Sequence, residues 1–281
     1  MHKAIRTGLA AASLLALAAC EQTTTGGNDI GNAANEGAPA TVAAGAGIDG
    51  TWKADVNSVQ FDQKPDEMLL QAGQYSCKTC VPPVTVPADG SFHPITTPYA
   101  DSMSVKVVDD HNVVRTTKKG GKQVGETKTS VSPDGNTLTG SFTDTSGSNT
   151  ATGTFVETRV GPAPAGAHAI SGKWKPSKLQ DFNTAALTFT YKVDGDTLHS
   201  ISGTGQSYDA KFGGGDVPIK GDNAGTTVSV KKTGENSFEE INKRGGKVVG
   251  VFKFSVDADG VGHGVYENKE DGSKVTYTAT R

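Results

Sequence analysis

Leu187-Thr188-Phe189-Thr190-Tyr191-Lys192-Val193-Asp194-Gly195-Asp196 decides the fold. Leu187, Phe189, Tyr191 and Val193 fall on one side of an extended chain, and Thr188, Thr190 and Lys192 on the other, because successive strand side chains point to opposite faces. Asp194-Gly195-Asp196 turns the chain and Thr197 to Ser202 returns, so the segment predicts a hairpin. The same alternation continues through Val228 and Val230. It runs through the strand carrying Phe238 and Ile241, which stops at Gly245-Gly246. Val248, Gly250, Phe252, Phe254 and Val256 follow as an inward face, and Val275, Tyr277, Ala279 and Arg281 form the last one. Upstream, Met103, Val105 and Val107, then Leu138, Gly140 and Phe142, show the same pattern. Consecutive period-two hairpins predict an antiparallel sheet with one wet face. Such a sheet tends to close, since closure removes exposed edges. The expected class is therefore all-β, built of small antiparallel barrels, with an open sandwich as the competing architecture. The outward residues are Thr, Ser and Lys, which argues against the lipid-facing apolar band of an outer-membrane barrel.

The chain repeats itself. Gly50-Thr51-Trp52-Lys53 returns as Gly172-Lys173-Trp174-Lys175, and Pro94-Ile95 as Pro218-Ile219. Lys118-Lys119-Gly120-Gly121-Lys122 returns as Lys243-Arg244-Gly245-Gly246-Lys247, and Glu157-Thr158-Arg159 as Ala279-Thr280-Arg281. The matches are collinear, so two tandem domains are expected at 48–160 and 170–281, joined by a Pro/Gly linker at 161–169. Each half is expected to fold alone.

At the N-terminus a basic stretch, Met1 to Arg6, precedes an apolar run from Gly8 to Ala19 and then Leu17-Ala18-Ala19-Cys20. This is the pattern of an export signal over 1–19. Its ending resembles the lipobox of bacterial lipoproteins, which implies cleavage before Cys20 and acylation of its thiol; an ordinary secretory signal is the alternative. Residues 20–47 carry no periodicity and are expected to be a disordered tether. After Cys20 no apolar run is long enough to span a bilayer, so the lipid is the expected membrane attachment. Glu21, rather than Asp, follows the Cys. By resemblance to lipoprotein sorting, that implies the outer membrane, facing the periplasm. The chain carries a formal net charge of −3, and losing Lys3 and Arg6 makes the mature form more acidic. It has no electrostatic footprint for nucleic acid.

Trp52 and Trp174 open the two copies, and Arg159 and Arg281 close them. In a closed up-and-down barrel the first and last strands pair, so each Arg is expected to stack on its own domain's Trp. This arrangement resembles the Gly-x-Trp and Arg pair of the lipocalins and other calycins. Each copy also resembles a family of uncharacterised bacterial lipocalin-like lipoproteins, running from a Gly-x-Trp start through a Gly-Gly-Lys hairpin to an Asp-Gly turn. The likeness implies barrel closure by these four residues and no known activity.

Cys77-Lys78-Thr79-Cys80 is the sharpest local motif, and Ile201 aligns with Cys77 in the second copy. In an oxidising compartment a structural disulfide is expected. Redox work and zinc are the alternatives. A redox Cys-x-x-Cys normally starts a helix, which Val81-Pro82-Pro83 forbids here. Zinc needs further ligands, which the neighbourhood does not supply. The basic hairpins at Lys118, Lys119 and Lys122, and at Lys243, Arg244 and Lys247, read as edge-protecting turns or contacts for an anion. Asp194-Gly195-Asp196 and Asp257-Ala258-Asp259-Gly260 read as turns rather than calcium loops. His93, His111, His168, His199 and His263 are scattered, and no nucleophile or Walker-type motif occurs. The expected function is therefore non-enzymatic, with no cofactor or metal: a binding module for a small apolar or amphipathic ligand. A structural or protein-interaction role with filled barrels is the first alternative. A thiol–disulfide activity is the second.

Overall fold

The computed structural model describes residues 47–281. The expected signal at 1–19, Cys20 and the tether up to residue 46 lie outside the described residues. The chain opens with β1 (Gly50–Ala54) and β2 (Gln60–Asp62), separated by a single 3-10 turn at Val56–Ser58. Then come β3 (Asp66–Gln71), β4 (Gln74–Cys77), β5 (Val84–Pro87), β6 (Asp89–Pro94), β7 (Ser102–Val107), β8 (Asn112–Lys119), β9 (Lys122–Val131), β10 (Thr137–Asp144) and β11 (Ala151–Val160). After the linker follow β12 (Gly172–Gln180), β13 (Thr188–Asp194), β14 (Thr197–Ile201), β15 (Ser207–Lys211), β16 (Val217–Pro218), β17 (Thr226–Gly234), β18 (Ser237–Arg244), β19 (Lys247–Val256), β20 (Gly262–Asn268) and β21 (Lys274–Thr280). All pairings between these strands are antiparallel, and the inward positions alternate as the hairpin pattern predicts.

The strands form two nearly closed barrels, which fit a lipocalin-like double-barrel fold. One runs β5-β4-β3-β12-β11-β10-β9-β8-β7-β6. The other runs β15-β14-β13-β1-β21-β20-β19-β18-β17-β16, with β2 continuing along β21. The barrels do not coincide with the two sequence repeats. β1, from the first copy, lies between β13 and β21 of the second, and β12, from the second copy, lies between β3 and β11 of the first. One barrel is thus the contiguous stretch β3 to β12, inserted into a split barrel made of β1, β2 and β13 to β21. The boundary between 48–160 and 170–281 marks the repeat, not the folded unit.

The crossing pairs the consecutive strands β11 and β12 across the linker and gives up the pairings of β1 with β3 and of β12 with β13, which segments no longer than the linker would also allow. β12 also carries Pro176, which cannot donate to a ladder. The pairing with β11 shifts by a bulge between Val156 and Glu157, where Glu157 faces Pro176. A second bulge at Asn242/Lys243 moves the inward position on β19 from the expected Val248 to Val249.

Candidate functional site

The four closure residues are brought together, but across copies. The Arg159 guanidinium lies 4.1 Å from the Trp174 ring centre, and that of Arg281 lies 4.5 Å from Trp52. Own-domain stacking, expected from the sequence, is corrected by the strand exchange: each Arg meets the other copy's Trp. Both indoles are fully buried, and each donates to a carbonyl four residues earlier, Trp52 to Ile48 at 2.9 Å and Trp174 to Ile170 at 2.8 Å. Arg159 donates to the carbonyls of Ser171 and Ala169, and Arg281 to those of Asp49 and Gly47. The glycine of each Gly-x-Trp is required twice over. Gly50 and Gly172 hold φ of +136° and +130°, and a Cβ there would lie 2.8 Å from Arg281 Cδ and 2.5 Å from Arg159 Nη1.

Cys77 and Cys80 form a disulfide at the end of β4. They are 2% and 5% exposed. Exchange needs an external thiolate to reach a sulfur, so this burial favours the structural role. Ser200, not Ile201, stands at the position equivalent to Cys77, since Tyr191 pairs with Ser200 as Met68 pairs with Cys77. Among the described residues no group of His, Cys, Asp and Glu is arranged to hold a metal ion. The basic hairpins are largely engaged within the molecule. Lys118 sits over the Phe92 ring, Lys119 donates to the Pro98 carbonyl, Lys243 pairs with Asp216, and Arg244 reaches Glu270 and the Tyr99 hydroxyl.

The strand registers make the two interiors comparable position by position. Arg115 pairs with Thr127 as Glu240 pairs with Phe252, and Val113 pairs with Thr129 as Phe238 pairs with Phe254. Leu138 pairs with Glu157 as Gly262 pairs with Ala279, and Trp174 pairs with Asp66 as Trp52 pairs with Phe189. Where the split barrel holds Phe189, Phe238, Phe252 and Phe254, the inserted barrel therefore holds Asp66, Val113, Thr127 and Thr129. Where the split barrel has Ala279, the inserted barrel has Glu157.

In the split barrel the aromatic rings interlock edge to face. Tyr191 meets Phe238 at 4.9 Å, Trp52 meets Phe254 at 5.1 Å, and Phe189 meets Phe254 at 5.7 Å. Its buried carboxyl, Glu240, accepts a short hydrogen bond from the Tyr208 hydroxyl. Burial pushes Glu240 up to about 7 against the pull of that bond.

The inserted barrel is polar inside. Arg115 donates to the Tyr75 hydroxyl at 2.9 Å and points a second contact at Met68 Sδ, 3.6 Å away. Thr129 returns its hydroxyl to the Val113 carbonyl. Asp66 accepts from Thr79 in the disulfide loop at 3.4 Å. Asp144, at the far end of β10, holds the Ser146 amide. Glu157 is 1% exposed, and neither of its carboxyl oxygens has a hydrogen-bond partner among the described residues. Burial, reinforced by Asp66 and opposed by Arg115, pushes it up to about 8.

None of Asp66, Arg115, Glu157 and Glu240 was nominated by motif. The signal was their phase, since Arg115 shares the inward face with Val113, Glu157 with Phe155, and Glu240 with Phe238. Compared with known proteins, the chain matches no family model, no curated relative and no solved structure.

Proposed function

We propose that this chain is a lipid-anchored, periplasm-facing binding protein of the outer membrane, in which the inserted barrel takes a small amphipathic ligand and the split barrel is a filled scaffold. Leu17-Ala18-Ala19-Cys20 supports the anchor. The observation that carries the binding role is the exchange of four inward phenylalanines for Asp66, Val113, Thr127 and Thr129 within one strand order. These four exchanges remove side-chain volume, which Leu138 for Gly262, Arg115 for Glu240 and Glu157 for Ala279 restore in part, and polar groups among apolar walls are the usual lining of a ligand site. The wall residues Met68, Met103, Val105 and Phe155 suit an apolar tail. The seam differs as well. β15 is bridged to the far edge of the split barrel through Ser207 and Lys220, whereas β5 and β6 of the inserted barrel share no ladder pairing. That seam offers a way in.

Thr129→Phe, which copies Phe254, tests the reading. With room inside, the substitution is close to neutral in urea denaturation and blocks binding. In a filled interior it costs about 1–3 kcal/mol through overpacking. Native mass spectrometry of the protein drawn from its own membrane is expected to show one small molecule per chain beyond the acyl groups, lost in Thr129→Phe. An adduct that survives the substitution moves the site to the outer groove of about 580 Å³ lined by Leu69, Val160, Pro162 and Pro164. No adduct in the wild type removes the binding role.

A further inference from the structure

We propose that the inserted barrel selects ligands carrying a positively charged amine, with Glu157 as the counter-ion. The inference rests on the reading of that barrel as a ligand compartment. Among the buried carboxyls of the described residues, Glu157 is the one that the fold leaves unserved at both oxygens: it is almost fully buried and neither oxygen has a hydrogen-bond partner. A buried carboxyl in that condition is costly, since desolvation is not offset by a donor. The fold does not need it, because the equivalent position in the split barrel is Ala279, beside an intact Trp52–Arg281 closure. Nor is a donor hard to provide in this architecture, since Glu240 receives one from Tyr208.

Charge points the same way. Asp66 and Glu157 are two acids beside the guanidinium of Arg115, and the Asp66 carboxylate opposes ionisation of Glu157 while Arg115 favours it. An ionised Glu157 therefore leaves one negative charge in excess at the site. An ammonium group brings both the missing charge and up to three donors. A neutral hydroxyl brings only a donor, and a carboxylate worsens the excess.

The test is calorimetric titration of the full mature chain with three probes of one length: n-hexylammonium, n-hexanol and n-hexanoate. The amine is expected to bind more tightly than the alcohol by roughly 10- to 100-fold, as for a charge-assisted hydrogen bond, and hexanoate more weakly than either. Glu157→Gln, nearly isosteric, and Glu157→Ala, which copies Ala279, are each expected to abolish the amine's advantage while hexanol binding persists. Equal binding of amine and alcohol by the wild type, or an amine preference that survives both substitutions, overturns the inference and leaves the compartment standing. Failure of all three probes to bind overturns the compartment and this inference with it. If a variant does not melt cooperatively, the amine–alcohol difference in the wild type decides alone.

Discussion

The inserted barrel and the split barrel are built on one plan and filled in two ways. They share strand order, the Gly-x-Trp and Arg closure and the Gly-Gly hairpins. Inside, one stacks phenylalanine on tyrosine around a single carboxyl that a tyrosine satisfies. The other gathers Asp66, Arg115 and Glu157 among threonines. The difference teaches that the closure and the hairpins set the barrel, while the inward positions of β8, β9 and β11 are free to specialise.

The largest effect should come from cutting the chain where the barrels, rather than the repeats, divide. Fragment 64–182 contains the whole inserted barrel and is expected to show a cooperative melt. Fragment 183–281 lacks β1 and should not, until a peptide of 47–62 is added. Thr51 and Thr190 touch through their hydroxyls at 2.8 Å across the two copies. The Thr51→Cys/Thr190→Cys pair should therefore cross-link on oxidation. An uncrossed chain gives no such bond, and a 64–182 fragment without a cooperative melt would break the comparison outright.

Next in size are the tryptophans. Trp52→Ala should destabilise by about 3–5 kcal/mol, as a buried aromatic truncation, and the damage should appear in the other copy. Segment-resolved hydrogen exchange is expected to rise in 188–280 and stay low in 102–160. Trp174→Ala should do the reverse. Exchange rising in the mutated copy instead would remove the strand crossing.

The buried acids distinguish the barrels by pH. In the unfolded chain both carboxyls ionise near 4.5, whereas the folded state holds the proton on Glu240 to about 7 and on Glu157 to about 8. Folding therefore gains from these groups at low pH, and the gain is lost as pH rises above 4.5, levelling off near 7 for the split barrel and near 8 for the inserted one. The whole decline is of the order of a few kcal/mol. Urea midpoints measured from pH 5 to 9 should fall, and Glu157→Gln should flatten the part of the curve belonging to the inserted barrel. Midpoints that rise over this range would refute the assignment.

The smallest effect is the most specific. Double-mutant cycles should give a coupling of about 0.5–2 kcal/mol for Trp174 with Arg159. The pair expected from the sequence alone, Trp174 with Arg281, should be additive. The opposite result would restore own-copy closure.

The barrels themselves were legible in the sequence, because period-two alternation and Asp-Gly or Gly-Gly turns are local signals. So were the four closure residues, since a Trp near the start and an Arg at the end of each copy survive duplication. Which barrel receives each Trp was not legible. β1 and β12 present the same Gly-x-Trp face, and either completes either ladder. No local side-chain pattern records the choice. For the same reason fragment 170–281, in which β12 can stand in for β1, is no test of the crossing. The interior charges were hidden differently. A lone Arg115 or Glu157 in an alternating strand looks like a solvated residue unless its phase is tracked, and Ile241, beside Glu240, draws the eye to the wrong face.

The split barrel also has a consequence in time. β1 is made before the inserted barrel, and both its ladder partners, β13 and β21, are made after it. Domains that are complete early tend to fold early, so the inserted barrel can close once residue 180 has arrived. Trp52 must wait, unpaired and apolar, for the last strand and for Arg281 at the end of the chain. A chain that stops short finishes one barrel and leaves the other with a bare edge. Closure of the split barrel thus reports that β21 has been made.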